Sequence, residues 1–200
     1  MPPLVIVCGP PASGKTALAV ALSARFGLPV ISKDSFKEAI MDHLGGGEAA
    51  GAAAFAVQFA AARTMLRSGV GLILEGAFFA GHEELADVAA MGDCVVLQLS
   101  CPIEVIESRF TRRLGSRHPR HRGTEALPEL RERVEKGTYI PTLDKPVLKI
   151  ETSNGLQPNE EEIARWVRGT LSARRTPLHP SDDQPSLREA WDEHAGEWIR

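Results

Sequence analysis

Gly9-Pro10-Pro11-Ala12-Ser13-Gly14-Lys15-Thr16 follows directly on the apolar run Leu4-Val5-Ile6-Val7-Cys8. The octet matches G-x-x-x-x-G-K-[ST], and its place between a short hydrophobic strand and a helical pattern gives that match its meaning. Its glycines let the backbone curl so that successive N–H groups converge on an anion. The helix that starts at the loop adds the positive end of its dipole. Lys15 can reach the β- and γ-phosphates of a nucleoside triphosphate, and the Thr16 hydroxyl can hold Mg²⁺. Gly9, Pro11, Ala12, Ser13, Gly14, Lys15 and Thr16 are therefore the expected nucleotide-binding residues.

Working outward, apolar runs bounded by turn residues alternate with helical patterns, which predicts an α/β fold with a parallel sheet. Strands are expected at Leu4–Cys8, Pro29–Ser32, Gly71–Glu75, Cys94–Leu99 and Val147–Glu151. The intervening helices are expected at Lys15–Phe26, Ser35–His43, Glu48–Arg67, Glu83–Met91, Pro102–Leu114 and Pro128–Thr138, with Glu160–Leu171 after the last strand. Gly45-Gly46-Gly47 reads as a hinge between two helices. Residues 1–171 thus form one domain. Pro177, Pro180 and Pro185 mark 172–185 as a linker. Ser186 and Glu189 then form a capping box for a helix over 186–200. Its stripe of Leu187, Trp191, Ala195 and Trp198 suits docking on the core, on a partner or on a second copy.

Composition narrows the function classes. A net charge of −3 lacks the basic excess of a dedicated nucleic-acid binder, so nucleic acid is not the expected partner. Cys8, Cys94 and Cys101 are an odd, scattered set without C-x-x-C, which predicts reduced thiols in a cytoplasmic protein. The N-terminal apolar run has no basic residues before it and is too short for a signal peptide. Ala49 to Leu66 comes nearest to a membrane span but is broken by Gly51, Gln58 and Arg63, and reads as an amphipathic helix.

Three further features lean toward phosphoryl transfer. Asp34, at the end of the second strand, falls where open parallel sheets bind ligands. It can accept the proton of an attacking hydroxyl or cap the next helix. Lys37, one turn on, either touches the acceptor or sits in solvent. Leu72-Ile73-Leu74-Glu75 has the form of a Walker B strand, so that Glu75 binds Mg²⁺ directly or through water, touches substrate, or activates a water. Arg109, Arg112, Arg113, Arg117, Arg120 and Arg122 then suit a lid that neutralises transition-state charge. His118 and His121 lack a third ligand for a metal. Phe36, Phe55 and Phe59 are candidate linings of an acceptor pocket.

Taken together, Gly9–Thr16, Asp34, the L-I-L-E-G strand, C-P-I-E-V-I-E-S-R-F with the arginine-rich segment after it, and K-P-V-L-K-I-E-T resemble the small P-loop kinases of adenylate-kinase-like fold. The nearest flavour is the group of polynucleotide kinase, zeta toxin and chloramphenicol phosphotransferase. The resemblance covers about residues 4 to 170. It implies a three-layer P-loop NTPase sandwich, five parallel strands in the order 2-3-1-4-5, an Arg-bearing lid, and Mg-ATP as donor. It also implies that Lys15 and Asp34 act in catalysis with lid arginines Arg109 and Arg113, Asp34 as base. Lys37 stands where polynucleotide kinases carry arginine, which turns the expected acceptor toward a small molecule. A nucleotide-binding regulatory module is the alternative outside enzymes. A guanine-nucleotide switch is not expected, since no N-K-x-D motif is present.

Overall fold

The computed structural model describes residues 1–45, 48–116 and 123–172. Gly46, Gly47, the 117–122 segment with Arg117, His118, Arg120, His121 and Arg122, nearly all of the expected linker and the 186–200 helix lie outside the described residues.

Strands β1 (Pro3–Cys8), β2 (Val30–Ser32), β3 (Leu72–Gly76), β4 (Asp93–Ser100) and β5 (Val147–Glu151) form one parallel sheet in the order β2-β3-β1-β4-β5. The order is the one the family resemblance implied. β1, β3 and most of β4 are apolar on both faces because helices cover both faces. On one side Leu18, Ala19 and Leu22 of α1 (Lys15–Phe26) and Ile163, Ala164 and Val167 of α7 (Glu160–Ser172) pack on Val5, Val7, Ile73, Val95, Leu97, Leu99 and Ile150. On the other, Phe59, Ala62 and Leu66 of α3 (Glu48–Arg67) and Leu85, Val88 and Ala89 of α4 (Glu83–Ala90) cover Leu4, Ile6, Cys8, Leu72, Leu74, Cys94 and Val96. A third cluster, Ile106 and Phe110 of α5 (Ile103–Arg112) with Leu130 of α6 (Leu127–Glu135) and Tyr139, stands above the carboxyl ends of the strands.

By length and composition, Ala49–Arg67 of α3 is apolar enough to cross a membrane. In the fold, its Phe59, Ala62 and Leu66 pack on the sheet, and the buried Gln58 donates to the backbone oxygens of Ile31 at 2.9 Å and Glu75 at 2.8 Å. That amide ties β2 to β3 at their carboxyl ends.

Several boundaries shift from the sequence reading by one to three residues, and three of these shifts have a physical reason. α2 (Lys33–Leu44) begins two residues before the expected Ser35, with Ser32 at its N-cap. Pro102 is the N-cap of α5 instead of its first helical residue, since its extended ψ of 147° stops the helix from including it. α6 ends at Glu135, three residues short of Thr138, because Gly137, at φ 66°, turns the chain.

The close approach of the phosphate loop to the sheet explains Gly9. Its φ is 139°, and a Cβ there would lie 2.4 Å from the backbone oxygen of Leu99. Gly9→Ala is expected to lower stability by roughly 1–3 kcal/mol through backbone strain alone. A lower urea midpoint at unchanged slope would show it; an unchanged midpoint would mean that the loop sits elsewhere.

Candidate functional site

The loop between β1 and α1 is bent by its left-handed residues. Ala12 holds φ 62° and Gly14 φ 94°, so a non-glycine residue carries strain at the tip of the turn. Ser13 is fully buried, and its Oγ has no hydrogen-bond partner. A buried hydroxyl without a partner is costly, and an oxygen-rich anion in the loop supplies one. Gly14, the N-cap of α1, has no atom within 4 Å of where a Cβ would stand. The loop therefore fits a phosphate group.

Lys15 is 8% exposed, and its Nζ donates to the oxygen of Pro10 at 2.8 Å. Burial pushes its pKa below the usual 10.5, while the carboxylates of Glu75 and Asp34 pull it back up. These three groups thus belong to one electrostatic cluster. Register brings Glu75 there: Ser32 pairs with Glu75 across β2 and β3, and the Ser32 Oγ donates to Glu75 Oε2 at 2.6 Å. Asp34 sits in the first turn of α2, exposed, with one carboxylate oxygen 3.2 Å from Lys33 Nζ. The alternative role of Asp34 as a helix cap is not met. Ser32 occupies that position, and its side chain is given to Glu75. Thr16 is exposed in the first turn of α1. Among the described residues no three His, Cys, Asp or Glu side chains cluster to hold a metal. Mg²⁺ needs no such cage, because one or two protein oxygens with phosphates and water complete its octahedron, and Thr16 and Glu75 are oxygen donors of that kind.

Two cavities flank the loop. The first, of about 240 Å³, is lined by Lys15, Asp34, Lys37 and Glu75 together with Phe55, Phe79, Arg133 and Tyr139. The second, of about 470 Å³, lies over Ala12, Ser13 and Gly14 and is bounded by Arg109, Arg112, Arg113, Thr152, Gly155 and Leu156. Pro11 and Lys15 line the first and Ala12, Ser13 and Gly14 the second, so a group held by the loop borders both.

The arginines expected in a lid divide by their surroundings. Arg109 is fixed: its guanidinium donates to Thr152 Oγ1 at 3.3 Å and to the backbone oxygens of Thr152 at 2.5 Å and Ser153 at 3.1 Å. It therefore ties α5 to the segment after β5, at the wall of the second cavity. Arg113 is the exposed C-cap of α5 and lies near enough to weaken the proton affinity of Lys15.

Of the phenylalanines expected around an acceptor, only Phe55 lines the first cavity. Phe59 is core, stacked on Phe55 at 5.9 Å, because α3 turns it toward the sheet. Phe36, on α2, does not line the cavity. Sequence reasoning missed Phe79, Glu129, Arg133 and Tyr139, and also the Thr152, Gly155 and Leu156 wall. Only Ala126, Glu129, Leu130 and Arg133 leave a local signal, recurring at i, i+3, i+4 and i+7.

His82 stands behind that aromatic wall, 4.7 Å from the Phe55 ring and 5.3 Å from Phe79, with a buried Nδ1 that has no partner. Burial lowers its pKa from the usual 6.5, opposed by Glu84. Below 6.5 the unfolded chain takes up a proton that the fold resists. The neutral ring's contribution is full above 6.5 and is lost as pH falls. The melting temperature is thus expected to drop more between about pH 7.5 and about pH 5.5 in the wild type than in His82→Phe. Equal drops in the two proteins would remove His82 from the cause.

Comparison with known proteins agrees with this architecture. Residues 4–136 match the family model described as an AAA domain. A provisionally named kinase of Chloroflexus aurantiacus j-10-fl, known from its crystal structure, superposes with a TM-score of 0.74 at 32% identity, covering 84% of this chain and 98% of that one. A sugar kinase from Janibacter sp. HTCC2649 superposes with a TM-score of 0.58 at 18% identity over 86% of this chain and 95% of its own, a likeness of fold. The curated relatives match only locally. The tRNA dimethylallyltransferase of Acaryochloris marina (strain MBIC 11017) is 53% identical over 34 residues, and the chain spans 11% of the length of that protein. With the family model matching most of the domain and a solved kinase related along nearly its whole length, the chain belongs to the AAA domain family and, within it, to the small P-loop kinases of adenylate-kinase-like fold.

Proposed function

We propose that the protein transfers the γ-phosphoryl group of Mg-ATP to a hydroxyl of a small-molecule acceptor. The observation that carries this reading is the common cavity of Lys15, Asp34 and Glu75, a phosphate-loop cation and two acids in a chamber that is also lined by Phe55, Phe79, Arg133 and Tyr139. A hydrolase needs room for water alone, whereas this chamber continues past the acids to Phe55, Phe79 and Tyr139. Ser13, Gly14 and Lys15 would hold the phosphates, together with backbone amides from Gly9, Ala12 and Thr16, while Pro11, which has no N–H, would shape the loop. The second cavity would take the base and ribose. Mg²⁺, held through Thr16 and Glu75, would neutralise phosphate charge when bound.

Asp34 would accept the proton of the acceptor hydroxyl as its oxygen bonds to the γ-phosphorus and the β–γ bridging oxygen leaves with ADP. Ser32 would keep Glu75 oriented, and Gln58 would keep the two strand ends together. Arg109 would support the nucleotide wall, and Arg113 would add positive charge near the phosphates. The free, largely buried thiols suit a reducing compartment, and we read the protein as cytoplasmic.

ADP release from Mg-ATP across hydroxylated small molecules and a 5′-hydroxyl oligonucleotide tests the reading. Stimulation by a small molecule is the expected result. Stimulation by the oligonucleotide alone would replace the acceptor class. Tight nucleotide binding with no stimulated release would favour a regulatory module.

A further inference from the structure

The walls of the first cavity beyond Asp34 carry a recognition unit that the phosphotransfer reading does not use. Arg131 on α6 donates to Glu107 on α5 through Nε at 3.0 Å and a terminal nitrogen at 2.6 Å, mounting α6 on α5. α6, with Ala126 at its N-cap, then presents Glu129, Leu130 and Arg133 to the cavity. Arg133 is held on two sides. It is ion-paired with Glu129, one turn earlier, and its guanidinium carbon lies 5.7 Å from the Phe79 ring centre. Tyr139 is itself 6% exposed and packs on Phe79 at 5.6 Å. On the facing wall Lys33 pairs with Asp34 and lies 5.4 Å from the Phe55 ring centre.

Each of these cations thus already has its carboxylate. A paired guanidinium and carboxylate offers donors and acceptors side by side without net charge, which suits a hydroxyl, since each hydroxyl both gives and takes. Aromatic rings beside such pairs suit the C–H face of a ring bearing those hydroxyls. The volume of about 240 Å³ lies below the ~300–1,000 Å³ that encloses drug-sized ligands, so the occupant is small. Resting on the phosphotransfer reading for the cavity's purpose, we propose that Glu129, Arg133 and Tyr139, backed by Phe79, form the acceptor-reading unit, and that the acceptor is an uncharged polyhydroxylated ring of monosaccharide or cyclitol size.

Calorimetric titration of the full chain without nucleotide tests this, using glucose, ribose and myo-inositol as neutral probes, gluconate and glucose 6-phosphate as anionic probes, and adenosine as an aromatic one. At least one neutral probe is expected to bind. That binding should weaken by at least about tenfold in both Arg133→Gln and Glu129→Gln, as loss of a hydrogen bond to a charged group implies. It should be unchanged in Val20→Ala, whose side chain is exposed on α1. Arg133→Lys should not restore it, because lysine keeps the charge but not the planar fork. Preference for an anionic probe, lost in Lys37→Met, would overturn the assignment in favour of a charged acceptor. Binding of adenosine alone, or of none of the neutral probes, would also overturn it. Neutral-probe binding that depends on Arg133, without phosphoryl transfer from ATP, would leave the recognition unit standing and defeat the kinase reading.

Discussion

Asp34→Asn is expected to lower acceptor-dependent turnover by roughly 10²–10⁴-fold, the range for losing a positioned general base, while ATP affinity changes little. Competing explanations for such a loss are small at this position. Asp34 does not cap α2, because Ser32 occupies the N-cap. As a first-turn acid it contributes to the helix dipole only about 0.3–1 kcal/mol. Its ion pair with Lys33 is exposed on the carboxylate side, and such pairs contribute little. Asparagine preserves the shape while removing the negative charge and the ability to take a proton. Turnover at saturating acceptor and ATP binding by titration separate the outcomes. Turnover within a few-fold of wild type would remove the base role, and weakened ATP binding with turnover kept would move Asp34 to the nucleotide side.

Lys15→Ala is expected to reduce turnover by about 10²–10³-fold or more, as removal of a preorganised charge at the transferring group does. Stability should follow a different course. Burial is the largest influence on Lys15 and disfavours its charge; Glu75 and Asp34 only partly offset it. The folded pKa is thus below the unfolded one, so the charge costs the free protein stability at neutral pH. That cost is relieved only as pH rises through the depressed value toward 10.5. The variant should therefore be nearly inactive without melting at a lower temperature. Loss of activity together with a large drop in melting temperature would mean that Lys15 serves the fold first.

The phosphate loop and the alternation of strands and helices were legible because both are local patterns. Sheet order was not: nothing in the residues of β2 says that it pairs with β3, and the order came from family resemblance. The start of α2 was misplaced because Asp34-Ser35 looks like a cap, whereas pairing with β3 occupies Ser32 and draws the helix start to Lys33. Arg109 and Arg113 read alike as arginines one turn apart. Only the folded chain shows Arg109 bound to the carbonyls after β5. The acceptor wall was least legible, since Phe55, Phe79, Arg133 and Tyr139 come from four separate segments that meet above the sheet. Phe59 was misjudged for the same reason, one helical turn separating a cavity lining from the core.

The central claim is transfer, and the fate of the γ-phosphoryl group tests it most directly. ATP labelled at the γ-phosphorus, incubated with Mg²⁺, the protein and the acceptor that best stimulates ADP release, should yield label in a new phosphomonoester of that acceptor. The ester should form one for one with ADP and be absent with Lys15→Ala. Label found only in inorganic phosphate, or retained in ATP despite tight binding, would contradict the account.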